Sequence, residues 1–217
     1  MAWHRQLLRR ALSASCPRRL LVTRGPHGKD ICLTFDDGPH PDYTPRVLDV
    51  LGRHGVRATF FLIGREAERY PDIVRRIDTE GHDIGHHSYE HRTPALTSAR
   101  QLAEEVGRTA AVFEGVVGRA GSLVRPPHGK VTLSKLWQLW RGGYTVVLWS
   151  VDPKDFACHS AEEVRAHLMR QELRGGDVVL LHDNHEHAAR VLTAIIHEAR
   201  ARNLDFCSVS RWTTDPR

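Results

Sequence analysis

The chain of 217 residues is 41% hydrophobic and 26% charged, a balance typical of a soluble globular protein with one large domain or two small ones. It holds no apolar run near the ~20 residues that a membrane-spanning helix needs. Residues 1–29 hold seven Lys and Arg and no acidic residue, which leaves 24 basic against 26 acidic residues afterwards. This near-neutral body argues against a nucleic-acid groove, which needs basic side chains clustered across the domain.

The basic segment at the start of the chain, residues 1–29, is predicted to be a flexible leader. It lacks the apolar stretch of a secretion signal, which favours a cytoplasmic location or one at the inner face of the membrane. Trp3, Leu7 and Ala11 fall at helical spacing, so residues 1–24 could also make peripheral contact with an anionic membrane. A frayed tail is the favoured alternative to such a helix.

Strand-like and helix-like segments alternate from residue 30 onward. The predicted strands are 29–35, 58–63, 83–86, 123–125, 144–149, 177–181 and 204–209. The predicted helices are 44–54, 72–80, one that opens at Ser98, 134–141, one that opens at Ser160, and 188–199. Repeated strand–helix units imply a parallel sheet, and this many of them predict an α/β fold, an irregular (β/α) barrel of about seven strands in a single domain. We place that domain at 30–210, followed by a C-terminal tail at 211–217.

Polar clusters follow five of the predicted strands. They are Asp36-Asp37, His86-His87, Arg125, Asp152–Asp155 and His182-Asp183. In barrels of this kind the chemistry lies at the C-terminal ends of the strands. The sequence therefore predicts one site, built at one rim of the barrel from five separate loops.

The first cluster, Asp36-Asp37, ends the first predicted strand. Neighbouring side chains of a strand point to opposite faces, so both carboxylates can serve one site only if the backbone turns sharply there. Gly38 and Pro39 favour such a turn. One carboxylate of the pair could bind a metal while the other acts as a base, and a solvated Asp-Asp-Gly turn is the alternative.

His87 and His91 are four residues apart. On one turn of a helix they would share a face and could grip one metal ion. In a chain with 15 His, a pair of surface residues is the commoner explanation for this spacing alone. Together with Asp37, however, the pair becomes two imidazoles and one carboxylate, the three-ligand set of a catalytic zinc with an open position.

Five segments, taken in order, resemble the motifs of the polysaccharide deacetylase family (NodB homology domain, carbohydrate esterase family 4). They are Thr34–Pro39, His87–His91, Arg125–Gly129, Asp152–Asp155 and Leu180–His182, and the similarity spans about residues 30–210. One such motif is a weak signal, whereas five in order with matching residue types are specific. The resemblance implies an irregular (β/α) barrel and a metal-dependent hydrolase. Such an enzyme removes N-acetyl groups from an amino-sugar-containing glycan or glycolipid precursor and releases acetate.

The resemblance also implies roles for the residues on the metal side of the site. Asp37, His87 and His91 would bind a divalent metal ion, zinc above all, with Co²⁺, Ni²⁺ or Mn²⁺ as alternatives. Asp36 would be the general base that takes a proton from water acidified by the metal. Arg125 would orient Asp36 by ion pairing.

The remaining implied roles concern the substrate and its leaving group. His182 would be the general acid that protonates the departing amine, and Asp155 would pair with it to keep it protonated. The backbone N–H of His128 would stabilise the developing oxyanion. Phe156 and Leu180 would wall an apolar pocket for the acetyl methyl group.

Two positions depart from the family pattern, and one neighbouring cluster has two interpretations. Phe156 stands where the family often has Trp, so the pocket wall lacks an indole N–H. His86 stands where Asn is frequent, and is either a spectator or a competitor for metal. The cluster His185–His187 is either a polar loop, the favoured interpretation, or a second metal site.

The motifs leave the substrate open among peptidoglycan or chitin fragments, a lipid-linked saccharide precursor and a small glycoside. A carbohydrate with an N-acetyl group is the expected partner, and nucleic acid is not. Hydrolysis of another non-peptide C–N amide, such as a formamide or a cyclic amide, is one alternative function. A metal-bound saccharide-binding module without turnover is another, and nucleic-acid binding by the basic arm is a third, with steep salt dependence.

Overall fold

The computed structural model describes residues 16–213 as strands separated by helices. The strands are β1 (Leu21–Val22), β2 (Asp30–Asp36), β3 (Thr59–Leu62), β4 (Asp83–His86), β5 (Leu123–Val124), β6 (Thr145–Val147), β7 (Val178–His182) and β8 (Asp205–Phe206). The α-helices are α1 (Thr44–His54), α2 (Gly64–Arg69), α3 (Pro71–Thr79), α4 (Ala99–Val117), α5 (Leu133–Arg141), α6 (Ala161–Met169) and α7 (Glu186–Ala201). Within these residues, no helix combines the length and apolarity needed to cross a bilayer.

All strand pairs are parallel, and the sheet order is β1-β6-β5-β4-β3-β2-β7, with β8 also paired to β2. A single bridge joins Val151, beyond β6, to Val179 in β7, so the sheet curls back on itself. The predicted irregular (β/α) barrel in a single domain is thus confirmed.

Side chains of β2 alternate between the two faces of the curled sheet, as strand geometry requires. Ile31, Leu33 and Phe35 belong to the main hydrophobic core, together with residues of α1 and α7. Cys32 instead belongs to a second apolar cluster, to which β1, β3, β5, β6 and β7 each contribute. That cluster fills the interior of the barrel. The polar residues Thr34 and Asp36 continue the same face toward the C-terminal rim.

Both ends of the domain extend beyond the predicted boundaries. Residues 16–29 are not a free leader, because Leu21 and Val22 form β1, pair with β6 and are buried. At the other end Trp212 is 7% exposed and packs in the interior cluster with Val22 and Cys207. The boundaries at 30 and 210 are therefore wrong. The membrane contact proposed for residues 1–24 falls partly on β1, and residues 1–15 and 214–217 lie outside the described residues.

The helix that opens at Ser98 has the capping box that its sequence predicts. The Ser98 side chain accepts from the Gln101 N–H, and the Gln101 side chain accepts from the Ser98 N–H. This helix, α4, runs to Val117 and ends at Gly118 in the left-handed conformation. Its buried face reaches the rim of the barrel through Glu105.

Candidate active site

The residues singled out from the sequence meet at the C-terminal rim of the sheet. Asp36 ends β2, His182 ends β7, and the two residues are paired neighbours in the parallel ladder. His87 follows β4 and Arg125 follows β5. The loop after β6 supplies Asp155 in a short 3-10 turn.

Asp37, His87 and His91 converge on one point. Asp37 Oδ1 lies 3.4 Å from His87 Nε2 and 3.3 Å from His91 Nε2. This Asp37 oxygen is buried and has no hydrogen-bond partner among the described residues, a condition that a bound ion would relieve. Two imidazoles and one carboxylate with donor atoms this close fit a divalent cation such as zinc.

His87 is held in the state that a metal ligand requires. Its Nδ1 donates to the carbonyl oxygen of Arg125 at 2.7 Å, which leaves the lone pair of Nε2 directed toward Asp37. Burial lowers the pKa of His87 to about 3, so the ring is neutral at any physiological pH. A neutral imidazole fixed through its second nitrogen is the usual form of a metal-bound histidine.

The bend between the two adjacent aspartates lies at Asp37 itself. Asp37 has a φ of 73°, so the chain leaves the strand there and the side chain turns toward the loop that follows β4. Gly38 is needed next, because a Cβ at this position would collide with the Asp183 carboxylate. The backbone turn predicted from Asp36-Asp37-Gly38-Pro39 is present, one residue earlier than the glycine.

The prediction that His87 and His91 share a helical turn is wrong. Both lie in an irregular loop after β4, in which Ser88 and His91 have φ values of 64° and 52°. The Ser88 hydroxyl accepts from the His91 N–H at 3.0 Å. Glu105 Oε2 accepts from the N–H groups of residues 89 and 90, each at 3.2 Å, and Arg92 pairs with its other oxygen. The Ser88 hydroxyl and the carboxylate of Glu105 on α4, rather than helical hydrogen bonds, therefore hold the loop that carries His91.

Replacing Glu105 with Leu is expected to weaken zinc affinity by about 10–100-fold, the usual effect of removing a group that supports a metal ligand. The two loop N–H groups would lose their acceptor while the space stays filled. Glu105→Gln should retain more affinity, because its amide oxygen still accepts hydrogen bonds. Competition with a chromophoric chelator measures the affinity. Glu104→Leu, at the exposed neighbouring position on α4, is the control, and an equal loss in that variant would contradict the assignment.

Asp36 and Arg125 form a buried ion pair beside the metal set. Arg125 Nη1 lies 2.6 Å from Asp36 Oδ1 and 2.9 Å from Thr34 Oγ1, and the arginine is fully buried. Its other N–H groups donate to the carbonyl oxygens of residues 147 and 148, and the guanidinium lies over the Phe61 ring. Burial raises the pKa of Asp36, and Arg125 opposes that rise. The second oxygen of Asp36 lies 3.7 Å from His87 Nε2, on the metal side.

His182 and Asp155 form a second charged pair. His182 Nδ1 donates to Asp155 Oδ1 at 2.8 Å, and the His182 backbone N–H donates to Oδ2 at 2.7 Å. Burial alone would lower the pKa of His182, but the hydrogen bond and the charge of Asp155, with smaller effects of Asp36 and Asp37, raise the pKa to about 9. The imidazolium therefore persists at neutral pH, with Nε2 as the nitrogen not engaged by Asp155.

The three residues assigned to the substrate lie around this pair and the metal set. His128 has a φ of 56° in the turn after β5, and its ring centroid is 5.1 Å from that of His91. Phe156 is 58% exposed and meets the His182 ring edge-on, with centroids 5.4 Å apart. Leu180 is buried in β7, on the same face of the strand as His182.

His86 is a core residue, whereas His185 lies at the site. His86 is fully buried, stacks on Phe113 and has a pKa that burial lowers to about 4. His185 caps α7, and its Nε2 lies 3.6 Å from Asp155 Oδ2. The favoured interpretation of 185–187 as a loop is wrong for 186–187, which begin α7.

Two residues that support the candidate metal ligands, one indirectly and one by direct contact, were not singled out from the sequence. Glu105 supports the loop that carries His91, and its signal was a carboxylate beside the apolar stripe of Leu102 and Val106 on α4. Asn184 donates from Nδ2 to Asp37 Oδ2 at 3.3 Å. No local pattern marks Asn184, because its partner lies in a distant loop.

The rim thus combines a three-ligand cation set, a buried carboxylate clamped by arginine, and an imidazolium backed by a carboxylate. Such groups can in principle activate water on one side of a bond and protonate a leaving group on the other. Five of the six non-glycine residues with positive φ among residues 16–213 lie in these rim loops, as such residues often do at active sites. They are Asp37, Ser88, His91, His128 and Lys154.

Comparison with known proteins identifies the family. A family model described as polysaccharide deacetylase matches residues 23–147, so the chain belongs to the polysaccharide deacetylase family. It is 36% identical over 187 residues to a peptidoglycan-N-acetylglucosamine deacetylase of Bacillus cereus, which covers 84% of this chain and 87% of that protein. Another protein of that name and organism is 37% identical over 159 residues, 73% of this chain, and the chain spans only 58% of its length.

The fold agrees with a solved member of this class. The crystal structure of the Bc1960 peptidoglycan N-acetylglucosamine deacetylase matches with a TM-score of 0.84 and 32% sequence identity. The match covers 91% of this chain and 95% of that one. The family match begins at residue 23, directly after β1 and before the predicted boundary at 30.

Proposed function

We propose that this chain is a metal-dependent hydrolase that removes the N-acetyl group of an amino-sugar-containing glycan and releases acetate. One observation carries the proposal: Asp36 lies between the cation set and the acid. Its Oδ2 is 3.7 Å from the metal-side nitrogen of His87, and its strand neighbour in the ladder is His182. A base and an acid are thus available on the two sides of one small substrate group.

The side chains divide the reaction between them. Asp37, His87 and His91 would hold the cation, which when bound supplies Lewis acidity that lowers the pKa of water and polarises a carbonyl. Asp36, fixed by Arg125, takes a proton from the attacking water as the water oxygen forms a bond to the acetyl carbon.

The second half of the reaction belongs to the other pair. The backbone N–H of His128 donates a hydrogen bond to the carbonyl oxygen as negative charge develops there. His182 Nε2 then gives its proton to the amide nitrogen as the C–N bond breaks, so acetate and a free amine leave. Phe156 and Leu180 provide the apolar wall against which the acetyl methyl group rests.

N-Acetylglucosamine of peptidoglycan is the first substrate to test, because relatives similar over most of this chain are named for it. Oligomers of N-acetylglucosamine and a lipid-linked N-acetyl saccharide are the other two. Acetate and formate release should be measured together, before and after removal of metal by a chelator and after return of Zn²⁺, Co²⁺, Ni²⁺ or Mn²⁺.

We expect acetate release that is lost with the metal and restored by it, and a His91→Ala variant that has lost the tightly bound metal and releases nothing. Formate in place of acetate would favour the other-amide alternative. Saccharide binding by the metal-loaded protein without turnover would favour the binding module. Activity that survives metal removal would contradict the metal dependence.

Asp155→Asn is expected to move the alkaline limb of the pH profile for kcat/KM to lower pH by about 1–3 units, the usual effect of an opposite charge at contact distance. Asp155 raises the pKa of His182, so the acid is present below that pKa and is lost as pH rises through it. Removing the charge of Asp155 lowers the pKa of His182, so the acid is lost at a lower pH. Asp152→Asn, on the same loop but paired with Lys154, is the control. An unmoved limb in Asp155→Asn would exclude His182 as the group that titrates.

A further inference from the structure

A second cluster of metal-binding residue types lies at the same rim. Asp155, His182 and His185 each offer a ligand atom, and these atoms lie within 4.8 Å of one another. His182 Nδ1 is 2.8 Å from Asp155 Oδ1, and His185 Nε2 is 3.6 Å from Asp155 Oδ2. The donor set, one carboxylate and two imidazoles, is chemically the same as that of Asp37, His87 and His91.

We propose that Asp155, His182 and His185 form a second divalent-cation site, and that zinc bound there inhibits the enzyme. The ion would take the place of the proton that links His182 to Asp155, so the ring would no longer be held as an acid. The inhibitory part rests on the proposed function, whereas the binding part does not depend on it.

The geometry suits zinc with small movements. Tetrahedral zinc with bonds of about 2.0–2.2 Å to nitrogen and oxygen sets neighbouring donor atoms about 3.3 Å apart. The separations of 2.8 and 3.6 Å at Asp155 lie on either side of that value. Asp155 is 1% exposed, and His185 Nε2 is buried without a hydrogen-bond partner among residues 16–213. Besides the spacing of the donor atoms, the unpaired His185 nitrogen that faces a buried carboxylate favours a bound ion here.

The ring of His185 has to change its protonation for this to happen. Its Nδ1 accepts from the His187 N–H at 3.3 Å at the start of α7, so the neutral ring carries its proton on Nε2. Zinc at Nε2 requires the proton to move to Nδ1, which gives up this long contact, and the Nδ1 proton of His182 passes to solvent. Both changes weaken the site relative to the first one. It should therefore fill only when zinc exceeds one equivalent.

His185→Asn separates the imidazole from its capping role, because an Asn side-chain oxygen can still accept the N–H at the start of α7. Zinc stoichiometry and affinity should be measured with a competing chromophoric chelator. The wild type is expected to bind two zinc ions, one tightly and one weakly. His185→Asn should bind one tightly, with the weak affinity reduced by about 10–100-fold or more. His187→Asn, which leaves the three donor atoms in place, is the matched control and should bind two.

The activity measurement uses the same variants over a zinc titration. Wild type and His187→Asn should lose activity as the weak site fills, while His185→Asn should keep its one-equivalent activity at the same free zinc. His91→Ala should bind zinc only at the weak site, whether or not the chain is a deacetylase. A single zinc in the wild type, or a second zinc and inhibition that persist in His185→Asn, would overturn the proposal. Absence of deacetylation at one equivalent of zinc, in a protein that goes on to bind a second zinc ion, would contradict the proposed function and leave the second site standing.

Discussion

Asp36→Asn is expected to lower kcat for N-deacetylation by about 10²–10⁴-fold, the usual contribution of a general base, with the tight zinc retained. The amide oxygen can still accept from Arg125 Nη1, but it cannot take a proton from water. The metal ligands are untouched, because Asp37 and not Asp36 supplies the carboxylate of the cation set. Turnover of N-acetylglucosamine oligomers and zinc content on the same preparation are the two measurements.

The buried position of Arg125 complicates this variant. Removing one partner of a buried ion pair costs roughly 3–5 kcal/mol in other proteins, so the free energy of unfolding has to be measured. Thr34 and two backbone carbonyls still hold the guanidinium, which limits the damage. Asp42→Asn, at an exposed position beyond the same turn, is the control. A folded, zinc-loaded Asp36→Asn enzyme with near wild-type turnover would remove Asp36 from the chemistry.

His182→Asn is expected to lower kcat for the sugar amide by about 10²–10⁴-fold and to spare 4-nitrophenyl acetate. An amine must be protonated as it leaves, whereas 4-nitrophenolate leaves without a proton. The Asn amide can donate to Asp155 as Nδ1 does, so the carboxylate stays paired while Nε2 is lost. Asp36→Asn, by contrast, should slow both substrates, because both need an activated water.

The ratio of the two activities is the decisive quantity for His182. His159→Gln, at an exposed position, should leave the ratio unchanged and controls for the loss of an imidazole. If His182→Asn lost the same fraction of its activity toward the amide and the ester, His182 would not be the residue that protonates the leaving group. A disturbed metal site would produce the same equal losses, so zinc content accompanies each measurement.

The rim was predictable where the information is local. Strand alternation and the following glycine and proline require Asp36 and Asp37 to separate at a turn, and the structure has that turn. The order of strands and helices follows from alternating patterns of this kind, as does the capping box of α4. These features depend on residues within a few positions of one another, so one sequence suffices to find them.

Features fixed by distant partners were missed or misjudged. The spacing of His87 and His91 fits a helical turn equally well, and the carboxylate of Glu105 on the distant helix α4 stabilises the irregular loop instead. Leu21 and Val22 are too few to display a strand period, and both pair with β6, while Val22 is also covered by Trp212. The family resemblance implied that Arg125 pairs with Asp36, but nothing in the sequence near Arg125 indicates that the arginine is fully buried. Its complete burial depends on acceptors from β2 and from residues at the end of β6.

The pairing of Asp36 with His182 in the β2–β7 ladder has a consequence for redesign of this scaffold. Main-chain hydrogen bonds between β2 and β7 set the distance between the proton acceptor Asp36 and the proton donor His182. Changes in the loops leave these hydrogen bonds in place. Positions in the loops after β4, β5 and β6 that carry no proposed metal ligand or catalytic group could therefore be changed to suit new saccharides while the distance between the two titrating groups stays constant. Selectivity and reaction chemistry would then be adjustable as separate variables in this barrel.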